Sequence, residues 1–177
     1  MSKRVPFTTT LKVRDTCLCL HIQRAARAIA RRFDEALRPV GLTNGQFSLL
    51  MALNRPEPAA IGPVARLLAM DRTTLTAAVK PLERLGLVTI AVDPADRRSR
   101  LLSLTDEGRS VLATALPIWR RTHAAIEAGL PGCDPEELRR ALRSLSRSDH
   151  AGQWAGASRR GHREVHLQGG LPEGHQA

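Results

Sequence analysis

The stretch DRTTLTAAVKPLERLGLVTIAVDPADRRSRLLSLT, from Asp71 to Thr105, decides the fold of this chain. Its first half predicts a helix. Asp71 can accept hydrogen bonds from the free N–H groups of a first helical turn, and Gly86 is typical of the position just beyond a helix end. Apolar residues recur at helical spacing between them, at Leu75, Val79, Leu82 and Leu85. We therefore predict a helix that buries one face and exposes the opposite face to solvent.

The exposed face of this helix carries small, hydroxylic and cationic side chains. At about 100° per residue, the residues opposite the apolar stripe are Thr73, Thr76, Ala77, Lys80 and Arg84. Two β-prone runs, LVTIAV and RLLSL, follow the helix, and the segment between them carries three arginines. The stretch is thus predicted to be a helix followed directly by a β-hairpin with a basic tip.

This combination is typical of a winged helix-turn-helix. In that architecture a helix enters the major groove of DNA and the hairpin, or wing, reaches an adjacent minor groove. The alternative interpretation is an ordinary solvated basic face, which would suffice for any one of these residues alone. Because the cations share one helix face and one hairpin tip, the joint pattern favours DNA binding.

The high positive charge of the chain is typical of proteins that bind a polyanion. The chain has 177 residues, a formal net charge of +10 and a pI of about 11.2. Residues 148–177 carry three arginines against three acids, so the positive excess lies in residues 1–147. Attraction to a membrane surface is a rival explanation of this charge, but no amphipathic basic helix or lipidation motif supports it.

No segment is suited to membrane insertion or export. The chain lacks a run of about 20 apolar residues, and the N-terminus MSKRVPFTTT lacks the apolar core of a signal peptide. We therefore expect a cytoplasmic protein with no membrane partner.

The remaining segments are predicted from their caps and apolar spacing. Residues 1–14 are expected to be a flexible basic arm, and a long helix is expected from Asp15 to about Pro39. A capping box of Thr43 and Gln46 starts the next helix, and Ile61–Ala69 is the first helix of the helix-turn-helix. Further helices are predicted from Thr105 to about Ala128 and from Asp134 to about Ser146, followed by a disordered tail over 148–177.

Residues 15–147 resemble the MarR family of winged helix-turn-helix transcription factors. The resemblance rests on LTNGQFSLL (Leu42–Leu50), MDRTTLTAAVKPLERLGLV (Met70–Val88) and, above all, DPADRRSRLLSLTDEGR (Asp93–Arg109). It implies a mainly α fold with a small β-wing, in the order α-α-β-α-α-β-β-α-α. It also implies an intertwined homodimer, with residues 15–40 and 106–147 as dimerisation helices and residues 43–105 as the DNA-binding lobe.

The resemblance also implies roles for individual residues. Arg98, at the wing tip, would enter the minor groove while Asp96 holds the wing in shape. The recognition helix would line the major groove of a pseudo-palindromic operator in double-stranded DNA. The full set of predicted DNA-binding residues is Arg72, Thr73, Thr74, Thr76, Lys80, Arg84, Asp96, Arg97, Arg98 and Arg100.

The three cysteines, an odd number, argue against a structural disulfide framework. The segment DTCLCLHIQRAARAIARRF resembles the first helix of the organic-peroxide-sensing (OhrR) branch, which implies that Cys19 is a sensing thiol. Cys17 and Cys133 are further redox candidates. Because that branch binds its reactive thiol with tyrosines and this chain has none, the alternative is that Cys19 is a small, buried core residue.

Many members of the family bind a small aromatic ligand between the dimerising helices and the DNA-binding lobe. The residues that would line such a pocket are His21, Gln23, Phe47, Met51, Trp119 and His123. For Phe47 and Trp119 the alternative is plain core packing. Cys17, His21 and His123 are the candidate metal ligands, but no ligand spacing supports a site, so we expect no metal and no cofactor.

We therefore predict a DNA-binding transcriptional regulator, acting as a repressor, that a small ligand or thiol oxidation releases from DNA. It is not expected to be an enzyme. One alternative is a thiol-based peroxidase with Cys19 as nucleophile, although no base or oxyanion-stabilising group accompanies that residue. Another is a winged helix that binds proteins, which predicts a neutral or acidic wing in place of the arginines at 97, 98 and 100.

Overall fold

The computed structural model describes residues 4–146 of the chain. Its elements are α1 (Phe7–Thr16), α2 (Leu18–Leu37), α3 (Asn44–Leu53), β1 (Ala59–Ala60), α4 (Ile61–Leu67), α5 (Arg72–Arg84), β2 (Val88–Val92), β3 (Arg100–Leu104), α6 (Asp106–Ala128) and α7 (Pro135–Ser146). A 3-10 turn at Arg38–Val40 follows α2. The three strands form one antiparallel sheet in the order β1-β3-β2. The predicted class, mainly α with a small β-wing, is confirmed.

The N-terminal part differs from the prediction. Residues expected to be a flexible arm form helix α1, which starts after Pro6, where φ is −62°. The long helix expected from Asp15 is interrupted at Cys17, whose backbone is extended with φ −75° and ψ 105°. Helix α1 buries none of its side chains, so it has no apolar stripe that could have signalled it.

Helix α3 begins at the predicted capping box. The Thr43 hydroxyl accepts the Gln46 N–H at 3.2 Å, and the Thr43 N–H donates to Gln46 Oε1 at 2.8 Å. This cap positions an apolar helix whose residues enter the main core. The buried core consists of Phe33, Leu37, Leu42, Phe47, Leu49, Leu50, Leu53, Ala59, Val64, Ala65, Leu75, Val79, Leu82, Leu87, Val88, Leu102, Leu104, Leu112 and Ala115.

A Schellman motif ends helix α5 and starts the hairpin. The Leu87 N–H donates to the Leu82 carbonyl and the Gly86 N–H donates to the Glu83 carbonyl, both at 2.9 Å. Gly86 has a φ of 70°, which a glycine adopts without steric strain. Leu87 is buried immediately after the turn. The chain therefore passes from α5 into β2 with a fixed geometry.

The hairpin pairs β2 with β3 from Val88 opposite Leu104 to Val92 opposite Arg100. Strand β3 also pairs with the short β1, where Ala59 lies opposite Leu102. Burial is concentrated at the base of the hairpin, and the loop 93–99 lies at its far end. The tip of the hairpin is therefore held away from the core.

Helix α6 is fastened to the turn between α5 and β2. The Thr105 hydroxyl accepts the Gly108 N–H at 2.9 Å and donates to the Gly86 carbonyl at 2.6 Å. Gly108 lies so close to this turn that an added Cβ would be 2.1 Å from the Leu87 carbonyl oxygen. Thr105 and Gly108 thus join the start of α6 to the end of the recognition helix.

Replacing Thr105 by alanine is expected to destabilise the chain by about 1–2 kcal/mol, because it removes both the cap of α6 and the hydrogen bond to Gly86. Thr105→Ser keeps the hydroxyl and serves as the control. Thermal unfolding followed by circular dichroism measures both variants. Equal melting temperatures for wild type and Thr105→Ala would show that the hydroxyl has no structural role.

Helix α7 belongs to a second compact unit, which begins at Leu130. It is capped by Asp134, whose Oδ1 accepts the Glu136 N–H at 2.9 Å, and it buries none of its side chains. The predicted disordered tail lies outside the described residues. Across residues 4–146, no helix combines the length and the apolar character needed to cross a bilayer.

Candidate nucleic-acid interface

The start of helix α5 is built as predicted. Asp71 Oδ1 accepts the Thr74 N–H at 2.7 Å, and Oδ2 accepts the Thr74 hydroxyl at 2.6 Å. Hydrogen bonds from this hydroxyl and this N–H hold the pKa of the Asp71 carboxyl below its ordinary value. The Thr74 hydroxyl, predicted to face the major groove, is therefore engaged in capping.

The exposed face of α5 forms a shallow groove of about 330 Å³, lined by Arg72, Thr73, Thr76, Ala77 and Lys80. The Thr76 hydroxyl donates to the Arg72 carbonyl at 2.7 Å, which leaves its oxygen as an acceptor for a partner. Arg84 is exposed but lies outside this lining. The structure thus brings together most of the predicted recognition-helix residues on one surface.

The wing loop is held by its own polar groups. Asp96 Oδ1 accepts the Arg98 N–H at 3.0 Å, and the Asp96 carbonyl accepts the Ser99 N–H at 2.8 Å. Arg100 Nη1 donates to the carbonyls of Arg97 and Ser99, each at 3.0 Å. Arg97 and Arg98 are exposed at the tip, whereas Arg100 stabilises the loop that carries them.

Besides the groove along α5, a cavity of about 300 Å³ lies between α4, α5 and the wing. It is lined by Ala60, Ile61, Gly62, Pro63, Arg66, Arg72, Thr76, Arg98, Ser99 and Arg100. Sequence reasoning missed Gly62 and Arg66. The signal that could have indicated Arg66 is its position in the predicted first helix of the helix-turn-helix, because that helix crosses the DNA backbone.

Another cavity, of about 410 Å³, lies among α3, α4 and α6 and is mostly apolar. It is lined by Phe47, Ser48, Met51, Ala52, Leu67, Leu68, Leu116 and Trp119. Three residues of the predicted ligand pocket, Phe47, Met51 and Trp119, therefore line it. His21 and Gln23, which are exposed on α2, do not line it.

Trp119 is the centre of an aromatic stack beside this cavity. Its ring centroid lies 6.1 Å from that of Phe47, 6.5 Å from that of Phe33 and 4.7 Å from that of His123. His123 is not in the cavity lining, and its Nε2 lies 3.2 Å from Glu127 Oε1. His123 therefore stacks on Trp119 without lining the cavity.

Cys19 is exposed, so the expectation that it is a buried core residue is wrong for this chain. Helix α2 buries only Phe33 and Leu37, near its C-terminal end, and its first turns remain at the surface. Gln23 Nε2 donates to Cys19 Sγ at 3.2 Å. Cys17 is half-buried, Cys133 is exposed in the second unit, and both are free thiols.

Residues 4–146 contain no cluster of three or more metal-ligating side chains. Among the candidate ligands, His21 is exposed and its Nε2 lies 3.2 Å from the Asp15 carbonyl oxygen.

Comparison with known proteins identifies the family. Residues 40–99 match the model of the MarR family. The M. tuberculosis transcriptional regulator MosR, solved in complex with DNA, is 36% identical, with a TM-score of 0.67 over 81% of this chain and 98% of that chain. This chain belongs to the MarR family.

Two further similar proteins differ in how much of the chain they cover. The transcriptional activatory protein BadR of Rhodopseudomonas palustris is 36% identical over 97 residues, which are 53% of this chain and 55% of BadR. The chain thus spans about half the length of that relative. BpsR of Bordetella bronchiseptica, solved to explain regulation of its DNA binding by 6-hydroxynicotinic acid, is 25% identical, with a TM-score of 0.68 over 76% of this chain and 96% of that chain.

Proposed function

We propose that this chain is a sequence-specific, DNA-binding transcriptional regulator that acts as a homodimer. The observation that carries the proposal is the continuity of the α5 face with the wing. Arg72 and Thr76 line both the groove along α5 and the cavity that reaches Arg98. Helix α5 would enter the major groove and the wing would reach the adjacent minor groove.

The proposed homodimer is supported by unpartnered apolar side chains. On α2, Leu18 is 67% exposed, and Ile22 and Ile29 are also exposed. Helix α7, taken by itself, exposes Leu138, Leu142 and Leu145. A homodimer formed through these surfaces would carry two α5 helices, as binding to two half-sites about 34–36 Å apart requires.

The test is a fluorescence-anisotropy titration with two duplexes of equal length, one from the DNA upstream of the chain's own coding sequence and one with that sequence shuffled. We expect roughly 10³-fold or greater preference for the first duplex and affinity that falls steeply with salt. Equal affinity for both duplexes would contradict sequence specificity. Binding to neither would favour the protein-interaction alternative.

We further propose that the regulator represses its target. The wing and α5 would cover operator DNA, and a dimer bound there would block transcription from an overlapping promoter. The relative BadR is named as an activatory protein. A reporter under the chain's own upstream region therefore tests the direction: deletion of the regulator is expected to raise expression, and a fall in expression would indicate activation.

Release by a small ligand is proposed at the cavity among α3, α4 and α6. Its lining contains no charged side chain, and Ser48 and the Trp119 indole offer its polar groups. We expect a neutral, planar aromatic ligand, since a buried carboxylate would find no cation there. Because α4 lines both this cavity and the one beside the wing, a ligand that moves α4 would alter the DNA-binding surface.

Titration with benzamide and benzoate tests the expected ligand class. Trp154→Phe leaves Trp119 as the single tryptophan, so its fluorescence reports on the cavity. Quenching by benzamide at concentrations where benzoate has no effect would support a neutral ligand. Preference for benzoate would contradict it.

Thiol oxidation at Cys19 is the second proposed route of release. In the single chain the thiol is exposed and accepts a hydrogen bond from Gln23. We propose that it remains open to an organic peroxide in the homodimer, which would oxidise it to a sulfenic acid and be reduced to an alcohol. We expect cumene hydroperoxide to weaken DNA binding by wild type but not by Cys19→Ser. Loss of binding in both proteins would exclude Cys19 as the sensor. Catalytic turnover of peroxide would favour the peroxidase alternative.

A further inference from the structure

Four arginines line the cavity between α4, α5 and the wing, which we call the arginine cavity. They are Arg66, Arg72, Arg98 and Arg100, and no acidic residue is among the lining residues. Like charges that share a partly enclosed site repel one another more strongly than they would in open water. A bound anion would relieve this repulsion, and guanidinium groups are suited to phosphate.

The position of the cavity indicates which phosphate is available. One wall is helix α5, proposed to enter the major groove, and another is the wing, proposed to reach the adjacent minor groove. On a DNA duplex, a single sugar–phosphate strand separates a major groove from the neighbouring minor groove. The arginine cavity would therefore lie over that strand.

Two features make the cavity a prepared site. Arg100 is held in place, because its Nη1 donates to two carbonyls of the wing loop. Gly62 leaves room for the other cations: a Cβ added there would lie 3.3 Å from Arg72 Nη2 and 3.8 Å from Arg66 Nη1. Arg66 and Arg72 thus approach the same backbone position, from helices α4 and α5.

We propose that the arginine cavity binds one phosphodiester group of the DNA backbone in each half-site, with Arg66 and Arg72 as its principal ligands. Arg72 is then a backbone contact that sets the position of α5 relative to the wing, and base reading falls to its neighbours on the α5 face. The proposal rests on the proposed function, since it assumes that the chain binds DNA.

The test compares Arg66→Ala and Arg72→Ala with wild type on the upstream and shuffled duplexes at several salt concentrations. Arg55→Ala is the matched control: this exposed arginine lines a different cavity at the opposite end of β3, where Ser103 and Leu104 lie. We expect each cavity variant to lose about tenfold in affinity on both duplexes. The logarithm of the binding constant falls linearly with the logarithm of the salt concentration. In the double variant the steepness of this line should decrease by about 0.9 for each half-site, because one phosphate contact is lost there.

The outcomes separate the two proposals. Failure of wild type to bind either duplex defeats the proposed function itself. If wild type binds and Arg72→Ala loses affinity only for the upstream duplex, Arg72 reads bases and the phosphate proposal is wrong. If the cavity variants behave like Arg55→Ala, the cavity is not a phosphate site.

A scan of the upstream duplex with single neutral methylphosphonate linkages gives a second, independent readout. We expect one linkage in each half-site whose neutralisation weakens wild type but leaves the Arg66→Ala, Arg72→Ala double variant unchanged. A scan in which every linkage affects both proteins equally would overturn the proposal.

Discussion

Replacing Gly108 by alanine is expected to destabilise the chain by about 3 kcal/mol or more, the upper range for overpacking a close contact. The added methyl group would lie 2.1 Å from the Leu87 carbonyl oxygen, which is backbone and cannot rotate away. Helix α6 would have to move off the turn between α5 and β2. For a chain of this size, the melting temperature should fall by roughly 6–12 °C.

Gly45→Ala is the matched control. Gly45 also lies in the first turn of a helix, but a Cβ there has only the Thr43 hydroxyl oxygen nearby, at 4.0 Å. We expect that variant to be as stable as wild type or slightly more stable, because alanine loses less backbone freedom on folding. Equal melting temperatures for Gly108→Ala and Gly45→Ala would show that the close approach at Gly108 has no structural importance.

Replacing Arg98 by alanine is expected to weaken DNA binding by an order of magnitude or more, or about 1.4 kcal/mol and above. The side chain is exposed at the wing tip, where it would enter a narrow minor groove whose negative potential attracts arginine. The fold should be unaffected, because Asp96 holds the backbone N–H of Arg98 and that contact survives the substitution. Anisotropy titration and thermal unfolding of the same preparation measure both effects.

Two further variants show how Arg98 acts. Arg98→Lys keeps the charge but loses the planar guanidinium, so it should recover binding only in part. Arg120→Ala removes an exposed arginine from α6 and controls for the change in net charge. Equal affinities for wild type and Arg98→Ala would refute a groove contact at the wing tip. An equal loss of affinity in Arg120→Ala would show that the change in net charge alone explains the effect.

The contacts at Thr105 and Gly108 suggest how a ligand could act on DNA binding. Helix α6 carries Leu116 and Trp119 into the apolar cavity, and its first turn is fastened to the end of α5. A shift of α6 on ligand binding would therefore be transmitted to the recognition helix. Thr105→Ala should weaken this coupling, which is measurable as a smaller change in DNA affinity upon ligand addition.

The caps and turns could be predicted because they depend on neighbours a few residues away. Asp71 and Thr74, Thr43 and Gln46, and the glycine at position 86 each satisfy the free backbone groups of a nearby helix end. The wing was predictable for the same reason, since two β-prone runs flank a polar loop. Such short-range patterns determine where the elements begin and end.

Other features depended on contacts between distant segments. Arg66 joins Arg98 and Arg100 because the sheet order places the wing beside α4, and no sequence spacing relates them. The Thr74 hydroxyl donates to Asp71, and Arg100 Nη1 donates to carbonyls of the wing loop. Their spacing in the sequence did not indicate these hydrogen bonds, and their predicted contacts with DNA remain predictions. Helix α1 was missed since it buries nothing, and Cys19 lies outside the core because α2 is buried only near its end.

The sequence by itself therefore determined the winged helix-turn-helix, the starts of helices α3 to α6 and the basic character of the recognition face and wing. Only the tertiary structure decided which arginines converge on one cavity, which hydroxyls are already engaged and which residues line the apolar pocket. The physical reason is that capping, helical period and turn formation are local interactions, whereas a cavity is formed by side chains that folding brings together from distant parts of the chain.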